Sequence, residues 1–354
     1  MLRKHALLDR SPLRDSAAGE WAMTHPRPTV ALVADPLTSA SLVYDARVVP
    51  VGPIDYRWRL PLSRPDFLLV ESAWEGPKAK WKYKIAAYPE YPSRTNLALA
   101  KLVAAARDRG IPTVFWNKED GVHFDRFIES ARLFDYVFTV DSGCVPKYRA
   151  ALGGGVPVNT MMFAIQPRTH GFQGFNFKYR RASFVGSYGR HVHERRRYWQ
   201  DILFGAACGT GLGLTVVDRN SRRKALHYRY PSLPDLHVLP AISHADTASI
   251  FRDYLVSLNV NTIEDSPTMF SRRMVEILGC GGIAVTNPSP AIDRLFRDYC
   301  YQVHDAEEAE ELFARLLRGP SSIDLERARA GAEYVLNHHT WSHRLREIAA
   351  VIAG

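Results

Sequence analysis

Ser266-Pro-Thr-Met-Phe-Ser-Arg-Arg-Met-Val-Glu-Ile-Leu-Gly-Cys-Gly-Gly-Ile-Ala-Val-Thr286 reads as one helix–turn–strand unit. Ser266 is a good N-cap and Pro267 suits a first helical position, so the expected helix runs over 267–278. Met274, Val275 and Leu278 supply its buried stripe. Gly279, Gly281 and Gly282 stop it and let the backbone turn closely into Ile283–Thr286. That strand is apolar without alternation, which is the pattern of a parallel strand covered on both faces.

The same pattern extends in both directions. Strands are expected at Ala182–Val185, Leu214–Val217, His237–Leu239 and Val256–Asn259, with helices over 194–207, 246–253, 305–317 and 324–336 and a last one from about Ser342. Towards the N-terminus, strands at Thr29–Ala34, Phe67–Val70, Ile111–Trp116 and Tyr136–Val140 alternate with helices over 93–109 and Phe124–Leu133. Residues 35–65, broken by prolines, give no clear reading. Alternation of this kind, twice over, implies an α/β protein with two Rossmann-like lobes facing a central cleft. The expected divisions are a poorly ordered extension over 1–28, a first lobe over 29–163, a linker over 164–180, a second lobe over 181–337 and a closing segment over 338–354.

Composition bounds the chemistry. In 354 residues, 46 Lys and Arg against 37 Asp and Glu leave a net charge of +9. That excess favours anionic partners. The basic residues are dispersed rather than striped with aromatics, so no stable nucleic-acid partner is expected. Four cysteines without a C-x-x-C pair suit a reducing compartment. With no apolar run of spanning length and no signal-peptide pattern, the expectation is a cytoplasmic protein with at most peripheral membrane contact.

Two segments suit phosphate. At the helix start in the quoted stretch, Arg273 and Glu276 share a face: arginines there can hold phosphate oxygens and the carboxylate can accept two ribose hydroxyls. The spacing serves a surface Arg–Glu pair equally well. The second segment, Ser183-Phe-Val-Gly-Ser-Tyr-Gly-Arg190, offers Gly186 and Ser187 as backbone donors, with Arg195, Arg196 and Arg197 close behind. Gly209-Thr-Gly-Leu-Gly213 lies between a helix and the following strand, the wrong order for a dinucleotide loop. His339 and His343 have i,i+4 spacing but no acidic partner, and no D-x-D triplet occurs anywhere. No metal site is therefore expected.

Taken together, these pieces resemble the CgeB-like (spore maturation protein CgeB) family of glycosyltransferases. The likeness is carried by Phe184-Val-Gly-Ser, Ser257-Leu-Asn-Val-Asn, Arg273 with Val275-Glu276 and Cys280-Gly-Gly, and His338-His-Thr-Trp with Arg344. In the first lobe it is carried by Leu69-Val-Glu-Ser-Ala-Trp-Glu-Gly, Phe115-Trp-Asn-Lys-Glu-Asp-Gly-Val-His-Phe and Phe134-Asp-Tyr-Val-Phe-Thr-Val-Asp. It covers about residues 65 to 350.

The resemblance implies a GT-B architecture and metal-independent transfer of a sugar from a nucleotide-sugar, with no further cofactor; a UDP- or TDP-sugar is the expected donor, though the resemblance does not fix the base. It puts the donor on the second lobe, the acceptor (a glycan precursor, a protein or a small molecule) on the first, and has the last helix cross back. Donor-binding candidates are Gly186, Ser187, Arg196, Arg197, Asp218, Ser271, Arg272, Arg273, Glu276, Gly281 and Gly282, with Val238 to Ser243 flanking the base. Arg273 is the candidate for stabilising the leaving diphosphate. On the acceptor side Glu71, Glu119, Asp120 and His123 follow strand ends, and Asp120 or His123 could serve as general base. Related retaining enzymes carry two glutamates separated by seven residues. Glu276 matches the second, but the first falls at Thr268. That departure keeps a non-catalytic nucleotide-sugar binder open, and a GT-B-fold epimerase is the other alternative.

Overall fold

A computed structural model describes residues 27–354. The extension expected over 1–28 therefore lies almost wholly outside the described residues. The first lobe is a parallel sheet of β1 (Thr29–Val33), β2 (Arg47–Pro50), β3 (Phe67–Glu71), β4 (Thr113–Asn117), β5 (Tyr136–Thr139) and β6 (Val158–Thr160), in the order β2-β1-β3-β4-β5-β6. In the second lobe β7 (Tyr179–Gly186), β8 (Leu214–Asp218), β9 (Leu236–Leu239), β10 (Tyr254–Asn259), β11 (Ile283–Thr286) and β12 (Tyr301–Gln302) are ordered β12-β11-β10-β7-β8-β9. Every residue of β3, β4, β8, β10 and β11 is buried, as continuous apolar strands require when helices cover both faces.

In both sheets the chain winds outward from its first strand, then returns to that strand's other side. The reversals lie between β1 and β3 and between β7 and β10. Open parallel sheets bind ligands beyond the strand ends at such switch points, and here the two points face one another.

The proline-broken stretch 35–65 resolves into helix Pro36–Leu42, edge strand β2 and helix Tyr56–Ser63. Elements this short hold too few periods for a pattern to show. Helix 93–109 is trimmed to Leu97–Arg107. The larger correction concerns Ser266 and Pro267, which start no helix. The helix is only Arg272–Gly279, with Ser271 as N-cap. The preceding residues instead form a strap to the first lobe. Ser266 Oγ donates to Asp141 Oδ1 (2.6 Å), while Thr268 Oγ1 donates to Val140 O (3.0 Å) and accepts from the Ser142 N–H (2.8 Å). A serine followed by a turn serves a cross-lobe bond as readily as a cap, and the sequence signal is the same for both.

A second connection joins the lobes. The last helix, Trp341–Ala353, lies against the first lobe. Trp341 packs edge-on to Trp116 (5.6 Å), and buried Arg344 donates from Nε to Met162 O (2.8 Å). Ile165 exchanges backbone bonds with His339 and Trp341. One apolar cluster accordingly runs through both lobes, from Val30 and Trp116 to Val275, Leu278 and Ile348. Of the two histidines in i,i+4 spacing, His339 accepts from Arg344 at Nδ1 (2.9 Å) and His343 bonds Thr340 through Nδ1 (2.6 Å). All four cysteines are buried and unpaired, and no described helix is long and apolar enough to cross a membrane.

Candidate functional site

A cavity of about 410 Å³ lies between the lobes at the facing switch points. Its second-lobe wall is formed by Val185, Val217, Arg219, Ile242, His244, Thr247, Ser271, Arg272, Arg273 and Glu276.

Arg273 is positioned by the strand ends. Its Nε donates to Val185 O (2.5 Å), one NH donates to Asn259 Oδ1 (3.4 Å), and the guanidinium lies 4.4 Å from the centre of the Phe184 ring. This arrangement explains Gly186: a Cβ there would come within 2.8 Å of Arg273 NH2 and 2.5 Å of the Phe184 ring. Gly186 thus makes room for the arginine. Burial, followed by repulsion from Arg196, disfavours the charge on Arg273. A guanidinium does not solve this by losing its proton, so the strain appears as a demand for an anion.

One helical turn on, Glu276 is buried. Its Oε1 lies 2.7 Å from His244 Nε2 and 3.0 Å from Arg272 Nε. Burial opposes its charge, but Arg272 and His244 outweigh that cost and hold the carboxyl well below its usual range. The face-sharing partner is therefore Arg272, which leaves Arg273 directed at the cleft.

Behind them, His170 is fully buried. Its Nε2 lies 3.0 Å from Thr247 Oγ1, which itself donates to His244 O (2.6 Å). Nε2 must then carry the proton. Nδ1 has no partner, and burial pushes the ring's pKa down to about 4. Among the described residues, His170, His244 and Glu276 are the one grouping with metal-ligand chemistry. Arg272 already supplies that carboxylate with positive charge at 3.0 Å, which disfavours a cation there.

On the first-lobe wall stand Asp35, Leu37, Trp74, Lys118, Glu119 and Phe163. Lys118 Nζ donates to Glu71 (2.9 Å) and Asp35 (3.1 Å). Glu71 itself is fully buried beneath the wall, where it also accepts from the Asp35 N–H (2.5 Å) and Thr38 Oγ1 (2.7 Å). Its charge is spent on holding the loop after β1. Glu119 is half-buried, and burial pushes its pKa up against the opposing effects of Lys118 and Trp74.

Of the residues singled out from the sequence, Glu119, Ser271, Arg272, Arg273 and Glu276 line the cavity. The others do not. Asp120 is buried behind the wall, accepting from Asn117 (2.7 Å) and Tyr148 (3.1 Å), and burial raises its pKa to about 7. His123 packs edge-on against Trp74 at 5.1 Å, and burial together with Arg126 lowers its pKa. The Ser187 carbonyl accepts from Arg196 (2.9 Å) and Gln200 (3.0 Å), so Arg196 braces the loop behind Arg273. Arg197 is tied to Arg190 O (2.6 Å), and Arg195 pairs with Glu264 (2.9 Å). Asp218 ends β8 and accepts from the Asn220 N–H (2.8 Å). Of 238–243, Ile242 reaches the cavity.

Gly281 and Gly282 are corrected outright. They follow the far end of the Arg272–Gly279 helix, and a Cβ on Gly281 would strike Phe172 at 2.3 Å. Eight residues of helix, ~12 Å, separate them from the helix start that lines the cavity.

Sequence reasoning missed Asp35, Trp74, Lys118, Arg219 and His244. Lys118 and Arg219 come directly after the tips of β4 and β8, and Asp35 two residues after that of β1, which is the signal that could have found these three.

The comparisons bear on this geometry. Residues 190–350 match the model of a family described as glycosyl transferase-like. No curated protein matches the chain in sequence. The fold is similar to an α,α-trehalose-phosphate synthase (UDP-forming) from Burkholderia vietnamiensis, at 12% identity and a TM-score of 0.51, covering 85% of this chain and 75% of that one. It is also similar to a trehalose-6-phosphate synthase analysed for glycosyltransfer with retention (13% identity, TM-score 0.51, 96% and 84% covered). A third similar fold is that of a protein from Listeria monocytogenes described as a UDP-N-acetylglucosamine 2-epimerase (10% identity, TM-score 0.52, 96% and 92% covered). The architecture is GT-B. The matched domain, set in that architecture, marks the chain as a glycosyltransferase.

Proposed function

We propose that the chain moves a sugar from a nucleoside-diphosphate sugar, seated on the second-lobe wall, to an acceptor on the first-lobe wall. The observation that carries this is the cationic second-lobe wall. Arg219, Arg272 and Arg273 line it at the start of helix Arg272–Gly279, and Glu276 is its one carboxylate among the described lining residues.

A diphosphate there meets the guanidinium groups of Arg219 and Arg273, with Arg272 paired to Glu276, and the helix N-terminus. Glu276, held ionised, accepts ribose hydroxyls, and Ile242 lies against the base. As the sugar–phosphate bond breaks, negative charge grows on the leaving oxygen, and Arg273 lies in a half-buried site where its field is little screened. With arginines filling that role, the reaction proceeds without a divalent cation. The donor is a UDP- or TDP-sugar, in keeping with the CgeB-like resemblance.

Glu119 is the carboxylate placed to take the acceptor proton in an inverting reaction, because Glu71 and Asp120 are committed elsewhere. In a retaining reaction the leaving phosphate takes it. Thr268 stands at the position where related retaining enzymes carry a glutamate, and here it binds the first lobe through Val140 and Ser142.

Calorimetric titration with UDP, GDP and TDP, with and without EDTA, tests the reading. One nucleotide is expected to bind, unchanged by EDTA, and to weaken by about tenfold or more in Glu276→Ala, which loses two hydrogen bonds to a charged group. If none binds, or if Glu276→Ala binds as well as the parent, the donor assignment is wrong.

A further inference from the structure

We infer that the first-lobe wall recognises a hydroxyl-rich acceptor group bearing neither phosphate nor carboxylate, with Asp35 and Glu119 accepting its hydroxyl protons and Trp74 lying under its apolar face. This rests on the reading of the opposite wall as the donor side.

The charges on this wall are fixed by their partners. Lys118 is its one cation among the described lining residues, and it is spent: Asp35 and Glu71 both hold its ammonium, and only 11% of the side chain is exposed. An acceptor phosphate would have to displace a carboxylate to reach it. Asp35 and Glu119 remain. Asp35 receives the Gly76 N–H (3.1 Å) and Lys118 (3.1 Å) on separate oxygens, yet its side chain is 25% exposed, so lone pairs are left facing the cavity. Among the described residues Glu119 has no ion pair; the Trp74 side chain hydrogen-bonds its carboxylate, and its backbone N–H is held by Asn117 Oδ1 (3.0 Å).

Two carboxylates on one cavity wall accept hydrogen bonds from hydroxyls and repel an anion. Trp74 is clamped edge-on by His123 (5.1 Å) and Phe127 (5.2 Å), which fixes its ring beside them. An aromatic plane next to paired acceptors suits the C–H face and hydroxyl rim of a sugar. The arginines across the cavity complete the discrimination, because an anionic acceptor would compete there with the donor's own phosphates.

Asp35 is thus a specificity-determining residue. The test titrates glucose, glucosamine and glucose 6-phosphate into the full chain, with and without UDP, followed by saturation-transfer NMR. Glucose and glucosamine are expected to bind about tenfold or more tighter than the phosphate. Asp35→Lys should remove or reverse that order, and Asp35→Asn, which keeps the shape, should narrow it. Glucose 6-phosphate binding as well as glucose overturns the inference, and so does an unchanged order in both variants or binding of none of the three. UDP affinity, read in the same samples, reports on the donor wall alone, so the two readings fail separately.

Discussion

On the first-lobe wall, Lys118 is clasped by Asp35 and Glu71, and the charges close on one another. On the second-lobe wall, Arg219, Arg272 and Arg273 face the cavity with Glu276 as their only lining carboxylate among the described residues. Both walls stand at equivalent switch points of similar sheets, yet on one the cation is spent on carboxylates and on the other cations are left facing the cavity. Breaking a pair in an internally paired wall strands a buried charge, whereas the cost of an unpaired wall is relieved when a ligand arrives. The difference teaches which lobe expects an anion.

Mutations can break this contrast, the largest effect first. Lys118→Met leaves Glu71 buried without its partner, so unfolding in urea should show a loss of about 3–5 kcal/mol, with nucleotide affinity nearly unchanged. Arg273→Ala should do the reverse. It removes a guanidinium already crowded by Arg196, so stability changes little, while calorimetry shows nucleoside diphosphate binding weakened by about 2–3 kcal/mol. Equal effects of the two substitutions on stability and binding would erase the distinction between the walls.

Asp120 sharpens the comparison, because among the described residues no cation pairs with its carboxyl. With its folded pKa raised to about 7 from 3.8, the native state binds the extra proton. Stability from that proton is complete below the unfolded pKa and is lost as pH rises towards 7. Asp120→Asn mimics the protonated form. It should match the parent near pH 4 and exceed it at pH 8 by roughly 1–3 kcal/mol in thermal unfolding. The smallest effect is expected from Thr268→Val, which cuts the strap between the walls and should cost about 1 kcal/mol, read as the same kind of shift.

The sheets were legible in the sequence because β3, β4 and β10 carry consecutive rather than alternating apolar residues, Phe67–Val70, Val114–Trp116 and Tyr254–Val256, as doubly covered strands do. Arg272, Arg273 and Glu276 were legible because a helix start collects charge of a recognisable kind. Which arginine faces Glu276 was not, since three- and four-residue spacings share a face. Glu71 and Asp120 stood at the strand ends where site residues belong, and no local pattern reveals that a carboxylate there will spend its charge inward. Lys118 and Arg219 are single charged residues whose meaning comes from sheet order, which links positions far apart in the chain. Ser266 and Thr268 misled for a related reason: their partners, Asp141, Val140 and Ser142, lie in the other lobe.

The closing helix has a consequence for the order of assembly. The apolar surface around Trp116 and Phe163 belongs to the first lobe, but Trp341 and Arg344 cover it. Ribosomes emit roughly 5–20 residues per second. The first lobe must therefore wait on the order of ten seconds or more, sticky side uncovered, until the final helix emerges. That interval is when a chaperone has something to hold, and the last turn of the chain finishes the first half of the protein.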